Sequence, residues 1–344
     1  MTTTTTAAAG ASGSTRAIRA RWLVTRRDRL AGWGAVALVG AVSGWLVQQY
    51  FARTDGIAGL RAAGCTGPAL GSPQCGTLLE DFYRDHISAS QNLDGLLAFL
   101  PGLVAVLIGA PLFARGFETG THRLDWTQSL PRTRWYAARI GRPVLGLFLL
   151  TSVLAAASTL CFSASAYGAG QEWFDRTVYQ AIGPVPVAST VCGLALGAVT
   201  GLVLRRTVPA VGVSAVLSAA AYAGMYKLRA HLLPMTHVVE DTHAVHGGFP
   251  RLPAGAWVVK EGTVLPDGRH VLVNHCGNDP TCLRSTVEWA EYHPAGHFWP
   301  LQFVESGGYL ALALAAVFIG YLVIRGRSAA VDGGRAARLV GGNH

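Results

Sequence analysis

The sequence predicts an all-α membrane protein: six transmembrane helices with two small extracytoplasmic lobes, the second containing some β structure. Three observations carry that prediction. Of 344 residues, 51% are hydrophobic and only 14% charged, with a mean hydropathy of +0.33, a balance that suits a chain whose solvent is partly lipid. Six apolar segments of about 18–24 residues have the length that crosses roughly 30 Å of hydrocarbon as helix. Finally, the charges fall between those segments in alternately basic and mildly acidic pieces.

In chain order, residues 1–15 are rich in Thr, Ala and Gly and are expected to be disordered. Residues 16–30 (RAIRARWLVTRRDRL) read as an Arg-rich amphipathic helix on the membrane surface, with Ile18, Trp22 and Leu23 entering the interface. Spans follow at 31–52, 93–114, 143–165, 181–204, 208–226 and 304–324, the first five making up the segment 31–226 with its loops. The first is too long for a signal-peptide core and lacks a cleavage site, so it is read as an anchor. Their ionisable side chains, Asp94 and Glu305, sit at the ends.

Charge sets the expected orientation. The basic pieces are 1–30, 115–142, Arg205 with Arg206, and the tail 325–344; residues 115–142 alone carry six arginines against two acids. Lys and Arg next to spans stay in the cytoplasm, so both termini are expected inside the plasma membrane of a bacterium. The pieces left outside form a small lobe at 53–92 and a larger one at 227–303. In the first, EDFYRDHISASQ (80–91) reads as a helix leading into span two. In the second, WVVKEGTVLPDGRHVLV (257–273) reads as a hairpin around Pro266, Asp267 and Gly268.

Cysteine usage agrees with that orientation. Cys65 and Cys75 bracket a Gly/Pro-rich loop, and Cys276 and Cys282 bracket CGNDPTC. Both pairs fall where disulfides persist, and neither has the two-residue spacing of a zinc knuckle, so two local disulfides are expected. The stretch THVVEDTHAVH holds His237, His243 and His246, the metal candidates of this chain. It lacks a helical His pair four residues apart and reads instead as a solvated loop, so no metal is expected. Gly193, Gly197 and Gly201 in span four, and Gly40 with Gly44 in span one, form small-xxx-small faces suited to close helix packing.

Several function classes are excluded on residue chemistry. The basic residues lie in short loops at membrane boundaries, without aromatic interleaving, which is no footprint for nucleic acid. A proton-coupled carrier needs ionisable groups within its spans. The chain has no phosphate-cradling Gly-Lys motif, since its lysines, Lys227 and Lys260, follow Tyr226 and Val259. It is therefore not expected to be an enzyme or to hold a cofactor. If the bundle performs work, energy must enter from another subunit through a cytoplasmic loop.

The loop RGFETGTHRLDWTQSLPRTRW (115–135) is long enough for that task. Arg115, Glu118 and Arg134 can pair with a partner's surface, and Gly120 permits close backbone approach. Thr121 can cap a short helix, 122–130, bearing Leu124, Trp126 and Leu130, after which Pro131 restarts the helix that becomes span three. A solvated loop with arginines reaching anionic lipid is the plainer reading of the same residues.

The run Glu118, Thr119, Gly120, Thr121, followed by Leu130, Pro131 and then Arg134 with Trp135, resembles the E-x-x-x-G-T…L-P-x-x-R pattern of ABC-2 type transporter permeases, with a shorter Glu-to-Gly spacing. The longer phrase PLFARGFETGTHRLDWTQSLPRTRW, together with FWPLQFVESGGYLALA (298–313), is similar to actinobacterial permeases of that class. The resemblance implies an ABC-2, or type V exporter-like, bundle whose loop between spans two and three is a coupling helix seated in a separate ATPase subunit. It implies MgATP on that partner and a second permease chain, identical or related, in contact with membrane lipid. The lobe at 227–303 exceeds the short re-entrant helices usual in the family. An exporter subunit is the function expected; the alternative is a membrane receptor that binds its ligand through the outer lobe.

Overall fold

The computed structural model describes residues 26–65, 72–120, 131–164, 173–240, 252–264, 268–272 and 287–340. Among these, six helical stretches are long and apolar enough to cross a membrane: Leu30–Ala62, Ser88–Glu118, Arg132–Ser163, Val185–Leu204, Thr207–Arg229 and Ala295–Gly326. They correspond to the six expected spans, but five run past the apolar segment at one or both ends. A helix propagates through polar residues as readily as apolar ones until a cap or proline stops it, so hydropathy locates the middle of a span better than its ends.

The first helix, α1 (Arg26–Ala62), shows this directly. No proline or cap separates Arg26 from the apolar run, so residues 26–30 are helical and continuous with the first span, while residues 16–25 lie outside the described residues. Beyond α1 comes α2 (Pro73–His86), started by Ser72, whose hydroxyl accepts from the Cys75 amide, and by Pro73 in its first turn. The expected helical stretch over 80–91 is present, interrupted by the single residue Ile87, whose amide still donates to the Tyr83 carbonyl at 2.9 Å before α3 (Ser88–Val104) begins.

Span two is not uniform. Between α3 and α4 (Ala110–Glu118) lies a π-helical turn, Ala105–Gly109. Pro111 has no amide hydrogen to donate and would clash with the carbonyl four residues back, and the widened turn accommodates it. Span three is α5 (Arg132–Ser163), with Pro131 at its N-cap. A short helix, α6 (Arg176–Ala181), is capped by Asp175, which accepts from the Thr177 amide and hydroxyl at 2.9 and 2.8 Å. Then come α7 (Val185–Leu204), α8 (Thr207–Arg229) and, after the sheet, α9 (Phe298–Val340).

Helix α7 is the centre of the bundle: 67% of its apolar window is buried, against 6% for α1 at the edge. Its glycines make that position possible. A Cβ on Gly197 would stand 2.9 Å from both the Gly109 Cα and the Ala110 amide, and one on Gly193 would stand 2.9 Å from the Pro101 carbonyl carbon. Gly201 meets the Ala110 carbonyl in the same way. The π turn of span two therefore lies directly on the glycine face of α7. By contrast, a Cβ on Gly40 or Gly44 would meet nothing within 4 Å, so the expected packing of that face is not made within this chain.

Between α8 and α9 stands a four-stranded antiparallel sheet in the order β1-β4-β2-β3, with β1 Thr236–Glu240, β2 Trp257–Val264, β3 His270–Leu272 and β4 Val287–His293. Strands β2 and β3 are the two arms of the hairpin read from 257–273, paired Val264 to His270. Trp257 fastens the sheet to the bundle, stacking on Phe174 at 5.4 Å and on His293 at 5.4 Å.

Candidate functional site

The segment expected to face a partner lies at the end of the bundle opposite the sheet, where α4 ends and α5 begins. Thr121, Leu124, Trp126 and Leu130 fall outside the described residues. Of the others, Arg115, Arg134 and Pro131 are exposed. Gly120 ends α4 with φ +71°, a conformation that L side chains rarely adopt, and a Cβ added there would meet nothing within 4 Å. Within this chain its requirement is therefore the left-handed turn and not close backbone approach.

Glu118 is exposed but bonded within the chain itself. Its carboxylate accepts from the Thr207 amide at 2.7 Å and from the Thr207 hydroxyl at 2.6 Å. That satisfies an amide at the start of α8 that helix geometry leaves open, and places negative charge at the positive end of the helix. Nearby, Arg205 ends α7 with φ 56° and lays its guanidinium over the Phe117 ring at 5.5 Å. Arg139 of α5 donates to the Leu112 carbonyl at 2.9 Å and covers the Trp135 ring at 5.6 Å. Tyr136 donates to the Val317 carbonyl of α9 at 3.0 Å. The flanks of the loop are thus bonded to the fifth and sixth spans.

The sheet-side end holds a feature that the sequence reading missed. Arg229, the last residue of α8, forms a two-point ion pair with Glu305 of α9, Nε to Oε2 at 2.7 Å and Nη2 to Oε1 at 3.1 Å. Both side chains are buried, at 2% and 0% exposure. The guanidinium lies 3.6 Å from the centre of the Tyr179 ring, and the Gln180 amide reaches Glu305 at 3.5 Å. Gln302, one turn before Glu305, donates to the Tyr179 carbonyl at 2.9 Å and accepts from the Val185 amide at 3.2 Å. Burial pushes the Tyr179 hydroxyl well above its usual range.

Charge is buried at a second place. Arg53, inside α1 and 1% exposed, donates to the His86 carbonyl at 2.9 Å, to the Cys161 carbonyl at 3.2 Å and to the Ser90 hydroxyl. Asp94, expected at an outer span end, is also buried. The expectation that charge stays outside the bundle is therefore corrected at Arg53, Asp94, Arg229 and Glu305. The available signal was a solitary charge at the edge of an apolar run; burial makes such a group bond within the protein, Arg229 to Glu305 and Arg53 to carbonyls and a hydroxyl.

Between α5, α7 and α9, on the sheet side, lies a groove of about 730 Å³ lined mainly by apolar residues such as Phe148, Leu160, Val187 and Leu310. The hydroxyls of Thr159, Ser163 and Ser306 along it are already bonded to carbonyls of their own helices at 2.6–2.7 Å. These three leave the groove suited to hydrocarbon and poorly suited to a charged solute.

The remaining expectations divide in two. Cys65 and Cys75 form a disulfide between the end of α1 and the start of α2, whereas Cys276, Cys282, His243 and His246 lie outside the described residues. His237 is exposed on β1, with its ring 5.7 Å from His270 and 5.9 Å from Trp289. Among the described residues there is no group of three or more metal-ligating side chains.

The sequence model of one family, described as ABC-2 membrane transporter related, matches residues 33–229, more than half of the chain. No curated protein and no solved structure matches.

Proposed function

The chain belongs to the ABC-2 membrane transporter related family, and from that premise we propose that it is the membrane-spanning subunit of an ATP-driven exporter in a bacterial plasma membrane. The observation that carries the proposal is the bonding of the segment between spans two and three. Glu118 holds the start of α8, and Tyr136 and Arg139 hold α9 and α4, so force applied to the loop has a covalent and hydrogen-bonded route into three spans. An ATPase subunit binding MgATP docks on 115–135, with Arg115, Gly120, Thr121, Leu124, Trp126, Leu130, Pro131 and Arg134 as its contacts. Glu118 then acts one step behind that surface, on α8. Both termini lie in the cytoplasm, following the basic residues, and a second permease chain completes the pathway.

Co-purification with the ATPase tests this reading. Trp126→Ala removes a large contact surface, and Gly120→Val forces a branched side chain into φ +71°. Each is expected to weaken association by roughly 1–3 kcal/mol, as anchor truncations do, while Arg123→Lys has little effect. Normal binding and normal turnover in both variants would move the function to the receptor class.

A further inference from the structure

We infer that α8 is the element that carries loop movement to the far mouth of the bundle, and that the buried Arg229–Glu305 pair is the latch that must part for that mouth to open. The inference rests on the coupling role proposed for residues 115–135.

Helix α8 is held by directional polar contacts at both of its ends. At the loop end, both oxygens of Glu118 take both hydrogen-bond donors of Thr207. At the sheet end, the Arg229 guanidinium meets Glu305 at two points. Twenty-three residues of helix join these grips, a rod of about 35 Å at 1.5 Å per residue. Between the grips, the buried side chains of α8 are Ala210, Ser214, Ser218 and, one turn before Arg229, Met225; the first three are too small to interlock deeply with a neighbour. A rod gripped at its tips, with small side chains along the half nearer the loop and its large buried contact beside the far grip, transmits axial and tilting movement from one tip to the other.

The latch sits where three elements meet: α8 brings Arg229, α9 brings Glu305 and Gln302, and α6 brings Tyr179 and Gln180. Met225 packs over Gly308 one helical turn farther into the bundle, so α8 and α9 close together on that side. An ion pair this deep is a poor device for stability, because an apolar pair of the same shape holds helices as well without removing charge from water. Its distinguishing property is two-state behaviour. The pair is either closed and dry or opened with both groups hydrated, and the intermediate, with one charge unpaired in the interior, is strongly disfavoured.

The chain carries its own reporter. Cys192 of α7 is 1% exposed and packs in the same buried cluster as Tyr179, Met225, Leu301 and Tyr309. Parting of α8 from α9 at the latch uncovers it. The experiment uses the complex of this chain with its ATPase in lipid nanodiscs, and reads the rate of N-ethylmaleimide labelling at Cys192 by peptide mass spectrometry, with and without MgATP.

In the unaltered complex, labelling is slow without nucleotide and faster during turnover. Glu305→Gln leaves Arg229 buried without its counter-charge and raises the nucleotide-free rate by at least about tenfold, a modest share of what losing one buried partner does to a closed state. The exchanged pair Arg229→Glu with Glu305→Arg returns the rate toward the original, which separates loss of the latch from loss of folding. Glu118→Ala keeps the slow nucleotide-free rate but abolishes the rise with MgATP.

A Glu305→Gln complex as protected as the original overturns the latch, as does an exchanged pair that stays as reactive as the single variant. An undiminished MgATP response in Glu118→Ala overturns transmission through α8. If MgATP changes nothing in the unaltered complex while Glu305→Gln still exposes Cys192, the latch stands and the coupling reading fails.

Discussion

Replacing Gly197 with alanine adds one methyl group where α7 crosses the π turn of span two. Built on the backbone as it stands, that methyl would lie 2.9 Å from the Gly109 Cα and the Ala110 amide, and nearer still to the Ala105 carbonyl oxygen. Ordinary contact begins at 3.4 Å, so α7 and the π turn must separate by at least about 0.5 Å. All the atoms met are backbone, and no rotamer change can relieve them. Overpacking costs about 1–3 kcal/mol, and contacts that are all backbone place this site in the upper part of that range, about 2–3 kcal/mol, partly offset by the roughly 1 kcal/mol that alanine gains over glycine in a helix. A net loss of about 1–2 kcal/mol is expected, or several degrees in the unfolding midpoint at roughly 2–4 °C per kcal/mol.

The control is Gly40→Ala, where the added methyl meets nothing and only the propensity gain applies. Thermal unfolding of both variants in the same detergent, followed by size-exclusion fluorescence, compares them directly. If Gly197→Ala melts with the unaltered protein, or if Gly40→Ala is destabilised equally, the π turn does not rest on the glycine face of α7 and the packing argument fails.

Three further outcomes are expected. Peptide mapping without reduction should recover Cys65 linked to Cys75, and Cys276 linked to Cys282; reducing the first, which closes a loop of sequence separation 10, should cost about 3 kcal/mol by loop entropy, and free thiols at all four positions would contradict the outside placement of both lobes. His293 donates from Nε2 to the Ala230 carbonyl at 3.0 Å and accepts at Nδ1 from His297 at 3.1 Å, and burial lowers it below the ordinary value of 6.5; the unfolded form therefore binds a proton first, stability is lost as pH falls below about 6.5, and hydrogen exchange across 287–297, corrected for intrinsic rate, should quicken from pH ~7 to pH ~5 unless His293 is replaced by Gln. The isolated chain should bind no ATP, having no phosphate-cradling loop; saturable binding by the ATPase-free protein would refute the proposed division of labour.

The six spans were legible because crossing hydrocarbon is a local requirement. About 20 apolar residues in a row satisfy it whatever the rest of the chain does, and α7 was recognisable as a close-packing helix because Gly193, Gly197 and Gly201 repeat every four residues along one face. For Gly40 and Gly44 the same pattern meets no neighbour within this chain, since a small-residue face states what can approach and not what does. For Gly120 the structure adds a requirement for φ +71°, and for Glu118 a pair of bonds to Thr207 within the chain, neither of which the sequence pattern shows.

What the sequence left open has a physical cause. The sequence by itself determined where helices form, which loops are basic, and that no nucleotide motif is present, all properties read over a few turns of chain. Only the tertiary structure decided which charges are dry. Arg229 and Glu305 lie 76 residues apart, and Arg53 and its acceptor at Cys161 lie 108 apart. Each is an ordinary residue at the edge of a span until helix packing brings its partner to the same depth. Burial then makes pairing obligatory, because an unpaired charge in the interior costs more free energy than the fold can spare.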